Sequence, residues 1–282
     1  MGEIINGNSE LTNSEINPII TSPMELPSSG VHETMETAQK MVEDFHLQSI
    51  DQIIKENGRF MAEDDIVRIY SGVDNIEAVE YIPQKGYTGC YLYSNGMSSI
   101  EVSVIDEQQM ERSVKHETNH FASKNTEIIV PDPERNGYTV YKTVGTRETR
   151  SFHSFDTGTV TEFSSKGEGL NEGLTTMYTN RQLMELSPEK GRSAERQEIY
   201  AHATELCKQL ESIVGEDTLK EAYYGGEVEA LKIKVDSLAG EGGYEDLREC
   251  LDRTITDDYI ERVEGMIDAQ RIMERMYENA RK

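Results

Sequence analysis

The run Val114-Lys115-His116-Glu117-Thr118-Asn119-His120-Phe121 sets two imidazoles four positions apart, with a carboxylate directly after the first. In a helix, positions i and i+4 share a face one turn apart, so both imidazoles can reach one tetrahedral metal ion, for which Zn²⁺ is the usual partner. Zinc lowers the pKa of a bound water toward about 7, and Glu117 is then placed to take its proton. The flanking residues support the helix. Met110, Val114 and Phe121 fall on one narrow apolar stripe. His116 and His120 lie side by side off that stripe, with Glu117 between the two sets. Such a helix can pack its stripe on a core while both imidazoles look into a cleft. The plain alternative is a solvated helix face carrying two surface histidines.

A catalytic zinc usually takes three protein ligands and one water. The best third ligand lies downstream, where the glycine-marked Lys166-Gly167-Glu168-Gly169 opens into Leu170-Asn171-Glu172-Gly173-Leu174-Thr175-Thr176-Met177-Tyr178. At helical spacing Leu170, Leu174, Met177 and Tyr178 span one side, and Glu172, Thr175 and Thr176 the other. A carboxylate flanked by hydroxyls on a second helix is what a two-helix zinc site needs. Glu172 is the candidate ligand, and Thr175 and Thr176 are candidates for holding the ligands from behind. In a chain with 53 Asp and Glu residues, the pairing of helices is what singles this glutamate out.

With these two segments the chain resembles the zincin metallopeptidases, and within them the gluzincins, in which a glutamate from a second helix completes the His-Glu-x-x-His site. Asn171-Glu172-Gly173-Leu174-Thr175 is similar to the Asn-Glu-x-x-Ser third-ligand motif of thermolysin-like enzymes. There are departures. The interval between His120 and Glu172 is much longer than in those enzymes. Thr176 stands where an aspartate often follows the ligand glutamate by four positions. The metzincin extension is absent, since Ser123 and Thr126 occupy the places of its glycine and third histidine. The resemblance covers the two motifs and their surroundings. It implies a zincin-like core, zinc as cofactor, a peptide or protein substrate, and hydrolysis with Glu117 as general base. Tyr200, His202 and His153 are candidates for steadying the developing oxyanion, as Tyr or His does in related enzymes. His153 is also the alternative third ligand.

The elements around the site read as follows. Residues 1–35, rich in Asn, Ser, Pro and Glu, have no sustained periodicity and read as a flexible tail. A helix follows from about Glu36 and stops at Asn57-Gly58, with Val42, Leu47, Ile50, Ile53 and Ile54 as its apolar face. Short strands are expected at Ile66–Tyr70, Ala78–Ile82 and Gly89–Tyr93. Asn95-Gly96 signals a hairpin into a strand over 98–105, whose Ile100, Val102 and Val104 alternate onto one face. That strand leads into the His116 helix, and it reads equally as an edge strand lining the cleft or as an ordinary internal strand. Between the two metal-ligand segments, 126–130 and 138–144 suggest a hairpin around Pro131-Asp132-Pro133. The stretch Arg147–Asp156 is polar and aromatic, and the whole insertion over 125–167 is a candidate wall or lid over the cleft. From Ser193 onward the chain reads as helices near 194–214, 216–224, 227–238, 244–254 and 257–280, separated by glycine breaks.

Composition bounds the class. The formal net charge of −25 over 282 residues repels phosphate backbones and anionic membranes, which argues against nucleic-acid and membrane partners. Cys90, Cys207 and Cys250 are odd in number and widely spaced, which fits a reducing compartment. Neither a secretory leader nor an apolar span is visible, so a cytoplasmic location is expected, with non-classical export left open. The expected fold is α+β: a flexible tail over 1–35, a zincin-like core with a small, mostly antiparallel sheet over 36–187, and a helical C-terminal subdomain over 188–282. The expected activity is that of a zinc peptidase. Two other readings stay open: a catalytically degenerate zincin that uses zinc to bind peptides, and an interaction protein with a chance motif.

Overall fold

Helix α1 (Val31–Asn57) runs along one side of the molecule and places Val42, Ile50 and Ile53 in the core. The computed structural model describes residues 31–81, 88–94, 96–187 and 200–282. The tail read over 1–35, the proposed Asn95 turn residue and the start of the helix read at 194 therefore lie largely outside the described residues. The apolar face of α1 differs from expectation at one position. Leu47 is 46% exposed, and the neighbouring His46 is the side chain that is buried.

The run Ile66–Tyr70 is not a strand but part of helix α2 (Glu63–Ser71). Three acidic residues in its first turn complement the helix dipole, and Ile66 and Ile69, three positions apart, turn toward the core while Val67 and Tyr70 face out. Helical spacing and an acidic N-terminus outweigh a β-branched composition here.

The first sheet joins β1 (Ile76–Glu80), β2 (Gly89–Ser94) and β3 (Met97–Val104) in the order β1-β3-β2. β3 pairs parallel with β1 and antiparallel with β2, the latter through a turn in which Ser94 faces Met97 and Gly96 has a φ of +73°. The strand that feeds the histidine helix is thus internal, and β1 and β2 are the two edges. β3 buries Ile100 and Val102, and helix α3 (Glu107–Ala122) follows. Asp106 caps it by accepting a hydrogen bond from the Gln109 amide at 2.8 Å. Met110, Val114 and Phe121 form its buried stripe.

The segment between the two motifs is a second sheet, a four-stranded antiparallel meander of β4 (Asn125–Asp132), β5 (Gly137–Val144), β6 (Arg147–Ser154) and β7 (Val160–Lys166). The first two strands match the expected hairpin. The polar Arg147–Asp156 stretch supplies β6.

Helix α4 (Glu168–Leu186) leaves this sheet at Gly167, whose φ is +75°. Its glycines let it sit very close to its neighbours. A methyl group at Gly173 would come within 2.6 Å of Cys207 Sγ, and one at Gly169 would collide with the Leu251 backbone. Leu170, Leu174 and Met177 are fully buried along it, each worth about 1.5–3 kcal/mol of apolar burial. Among the described residues five further helices follow: α5 (Ala201–Val214), α6 (Glu216–Gly225), α7 (Val228–Ala239), α8 (Gly243–Arg253) and α9 (Tyr259–Ala280). The fold is α+β with a helical C-terminal part, and one buried apolar cluster extends from Ala38 in α1 to Met276 in α9. Cys207 and Cys250 are buried thiols. Among the described residues no helix is long and apolar enough to cross a membrane.

Candidate metal centre

Helices α3 and α4 pack against each other, and their facing sides carry His116, His120 and Glu172. Ligand-capable atoms of these three residues all lie within 4.8 Å of one another. His116 Nε2 is 3.2 Å from Glu172 Oε2, and His120 Nε2 is 3.3 Å from Glu172 Oε1. One carboxylate therefore bridges two imidazoles through its two oxygens. Two neutral imidazoles and one carboxylate form a donor set suited to a divalent cation, and the group could hold a metal ion.

Burial acts on the two glutamates of the site in the same direction, but their partners separate them. Burial pushes the Glu172 carboxyl up. Electrostatic attraction to His120, hydrogen bonds with both imidazoles and attraction to His116 outweigh it and hold Glu172 well below the usual carboxylate range. For Glu117 burial prevails. It is raised to about 7, helped by the negative Glu172 and opposed by His116 and by a hydrogen bond from the Tyr91 backbone N–H. One carboxylate is held anionic as a ligand must be; the other is poised to gain and lose a proton near neutral pH.

Behind His120 a hydrogen-bond chain fixes the ring. Thr175 Oγ1 donates to the Asn171 carbonyl at 2.8 Å and lies 3.3 Å from His120 Nδ1. Its own proton being used, Thr175 accepts from the Tyr223 hydroxyl, 2.6 Å away. Asn171 Nδ2 lies 3.2 Å from the same Nδ1, while its Oδ1 accepts the Thr146 amide of the β5–β6 turn at 3.1 Å. Thr176 is also buried, but the contact to His120 is made by Thr175 and Asn171.

The three groups expected to steady an oxyanion are placed differently. Tyr200, at the start of α5, lines the metal cavity and lies parallel to the His116 ring, with centroids 6.2 Å apart and planes 14° apart. Burial, with the negative Glu172 and Glu117, raises its phenol above the ordinary range, so it stays a hydrogen-bond donor. His202, two positions further on, faces a separate groove between α5 and α9. His153 sits on β6, 2.9 Å from Ser151 Oγ and stacked on Tyr138 at 4.8 Å, outside the three-residue cluster.

The cavity above the cluster is about 570 Å³, open to solvent, and walled by the β2 edge on one side and by β5–β7 on the other. Lys142 spans its mouth by donating to the Tyr93 carbonyl at 3.0 Å. Reading the sequence missed several participants. Gly89 and Tyr91 of β2 lie on Glu117 and beside His120, and Tyr223 arrives from α6, about a hundred positions after the histidines. A glycine opening an aromatic strand was the available signal for the first; nothing local marks Tyr223. No family model, curated protein or solved structure matches the chain.

Proposed function

We propose that the chain is a zinc-dependent peptidase of gluzincin type. The observation that carries this reading is the convergence of His116, His120 and Glu172 beside a buried Glu117 whose proton affinity lies near neutrality. A zinc ion held by the three residues would supply a Lewis acid that activates water and polarises the scissile carbonyl. Glu117 takes the proton of the attacking water and passes it to the leaving nitrogen. The Tyr91 backbone N–H and the close packing of Gly89 hold that carboxylate in place. Tyr200, kept protonated, donates a hydrogen bond to the developing oxyanion. The cleft between an edge strand and a second sheet fits an extended chain.

The test is zinc content together with hydrolysis of a peptide library. Wild type should carry one zinc per chain, lost or sharply weakened in His116→Ala and Glu172→Ala. Glu117→Gln should keep zinc and lose turnover, and unchanged hydrolysis by that variant would sink the mechanism. One feature favours a second reading, a zincin that binds peptides without cutting them. His120 Nδ1 is met by a hydroxyl and an amide instead of a carboxylate, which makes the ligand less basic. Stoichiometric zinc with peptide binding and no turnover would select it.

A further inference from the structure

One face of the second sheet continues the metal cavity outward. Register places Val144 and Arg147, then Lys142 and Thr149, then Val140, Ser151 and Phe163, and finally Tyr138, His153 and Val160 in successive rows on that face. The last two rows, with Phe155, line a second cavity of about 470 Å³. Lys142, Thr149 and Phe163 line both cavities, so the two form one groove. From Val144 to Tyr138 is six strand positions, about 20 Å at roughly 3.4 Å per residue, the reach of about six residues of extended peptide.

The groove changes character along its length. Near the metal cluster it is polar, with Arg147 paired to Glu168 and Lys142 tied to the Tyr93 carbonyl. At the far end its large apolar side chains stand open to solvent: Phe163 at 66%, Phe155 at 65% and Val160 at 50% exposure. A cluster of exposed aromatic and branched side chains at the end of a polar groove marks a contact site. Its continuity with the metal cavity identifies the occupant as the same extended chain that reaches the metal.

We propose that this face is a substrate-docking groove, and that Phe163, Phe155 and Val160 form a subsite for a bulky aromatic side chain about four to six residues from the bond that is cut. The inference rests on the peptidase reading for its occupant, but it can be tested apart from it. The chain has no tryptophan, so a peptide tryptophan gives an isolated fluorescence signal. The probes are zinc-loaded Glu117→Gln protein and dodecapeptides in which one tryptophan walks through an alanine–glutamine background. One tryptophan position should bind about tenfold tighter than the rest. That preference should disappear in Phe163→Ser and return in Phe163→Tyr. Phe163 is exposed, so its replacement leaves the core intact. Equal affinity at every position, no peptide binding, or a preference that survives Phe163→Ser would overturn the proposal. So would a Phe163→Ser effect confined to the oligomeric state, which would assign the face to a second copy of the chain. Wild-type turnover of the same peptides is read separately. Its absence beside an intact binding preference would remove the peptidase reading and leave the groove standing.

Discussion

Gly89 of β2 faces the Glu117 side chain so closely that a methyl group on its Cα would stand 2.8 Å from Oε1 and 2.9 Å from Cγ. Glycine at this position is a requirement of the glutamate and not of the strand, because no unusual φ is involved. Gly89→Ala should push the Glu117 carboxylate off the Tyr91 N–H without touching His116, His120 or Glu172. Displacement of a catalytic group by about 1 Å is worth on the order of 100-fold in rate. The expected outcome is full zinc content with kcat reduced 10- to 100-fold, measured on any peptide that wild type cleaves. Loss of zinc in this variant would mean that β2 shapes the ligands too.

The residues that would do chemistry were legible because chemistry restricts their types and spacing. His116, Glu117 and His120 sit on one turn, and Glu172 stands opposite the apolar side of its own helix. Sheet strands β6 and β7 were harder. Arg147–Ser154 reads polar on both faces, because one face lines an open groove and the other is largely solvated, so no alternation appears. α2 was misread because a β-branched run can satisfy either period and its acidic first turn decides. Tyr223 was invisible for another reason: its role depends on how α6 packs on α4, which no local pattern encodes.

The Tyr223–Thr175–His120 chain carries its own expectation. Thr175→Val removes the buried hydroxyl that lies against His120 Nδ1 and accepts from the Tyr223 hydroxyl. Zinc affinity should fall roughly 10- to 100-fold. Thr175→Ser should restore most of it, and Tyr223→Phe should lie between the two. A competition titration against a chelator of known affinity measures all four proteins, and equal affinities would dismiss the chain as packing.

Asp252 ties the glutamate helix to α8. Its two carboxylate oxygens accept from the Gly167 amide at 2.8 Å and the Gly169 amide at 2.7 Å, at the first turn of α4. Both donors lie at a helix N-terminus, where an anion is favoured. Asp252→Ala should destabilise the fold by about 2 kcal/mol. For a chain of this size that lowers Tm by about 5 °C in thermal unfolding. Glu172 follows one turn later, so zinc affinity should drop as well. A lowered Tm with unchanged zinc affinity would limit Asp252 to a structural role.

His46 predicts how stability responds to acid. Thr118 Oγ1 spends its proton on the Val114 carbonyl at 2.6 Å, so His46 Nδ1, 2.8 Å away, carries a hydrogen and donates to it. Nε2 is then a bare acceptor, buried without a hydrogen-bond partner, and the ring packs edge-on against Phe121 at 5.3 Å. A proton on Nε2 would place charge where no group receives it, and burial lowers the His46 pKa from 6.5 to about 4. Between those values the unfolded chain takes a proton that the folded one refuses. Stability from this residue is complete above pH 6.5, falls as pH drops toward 4, and changes no further below that. The span corresponds to on the order of 3 kcal/mol. Chemical denaturation of chelator-treated protein at a series of pH values should show this slope, and His46→Asn should flatten it even though the smaller side chain lowers stability overall. The comparison uses metal-free protein throughout, so that acid release of a metal from His116 and His120 does not enter, and parallel slopes for the two proteins would count against His46 as the acid-sensitive group.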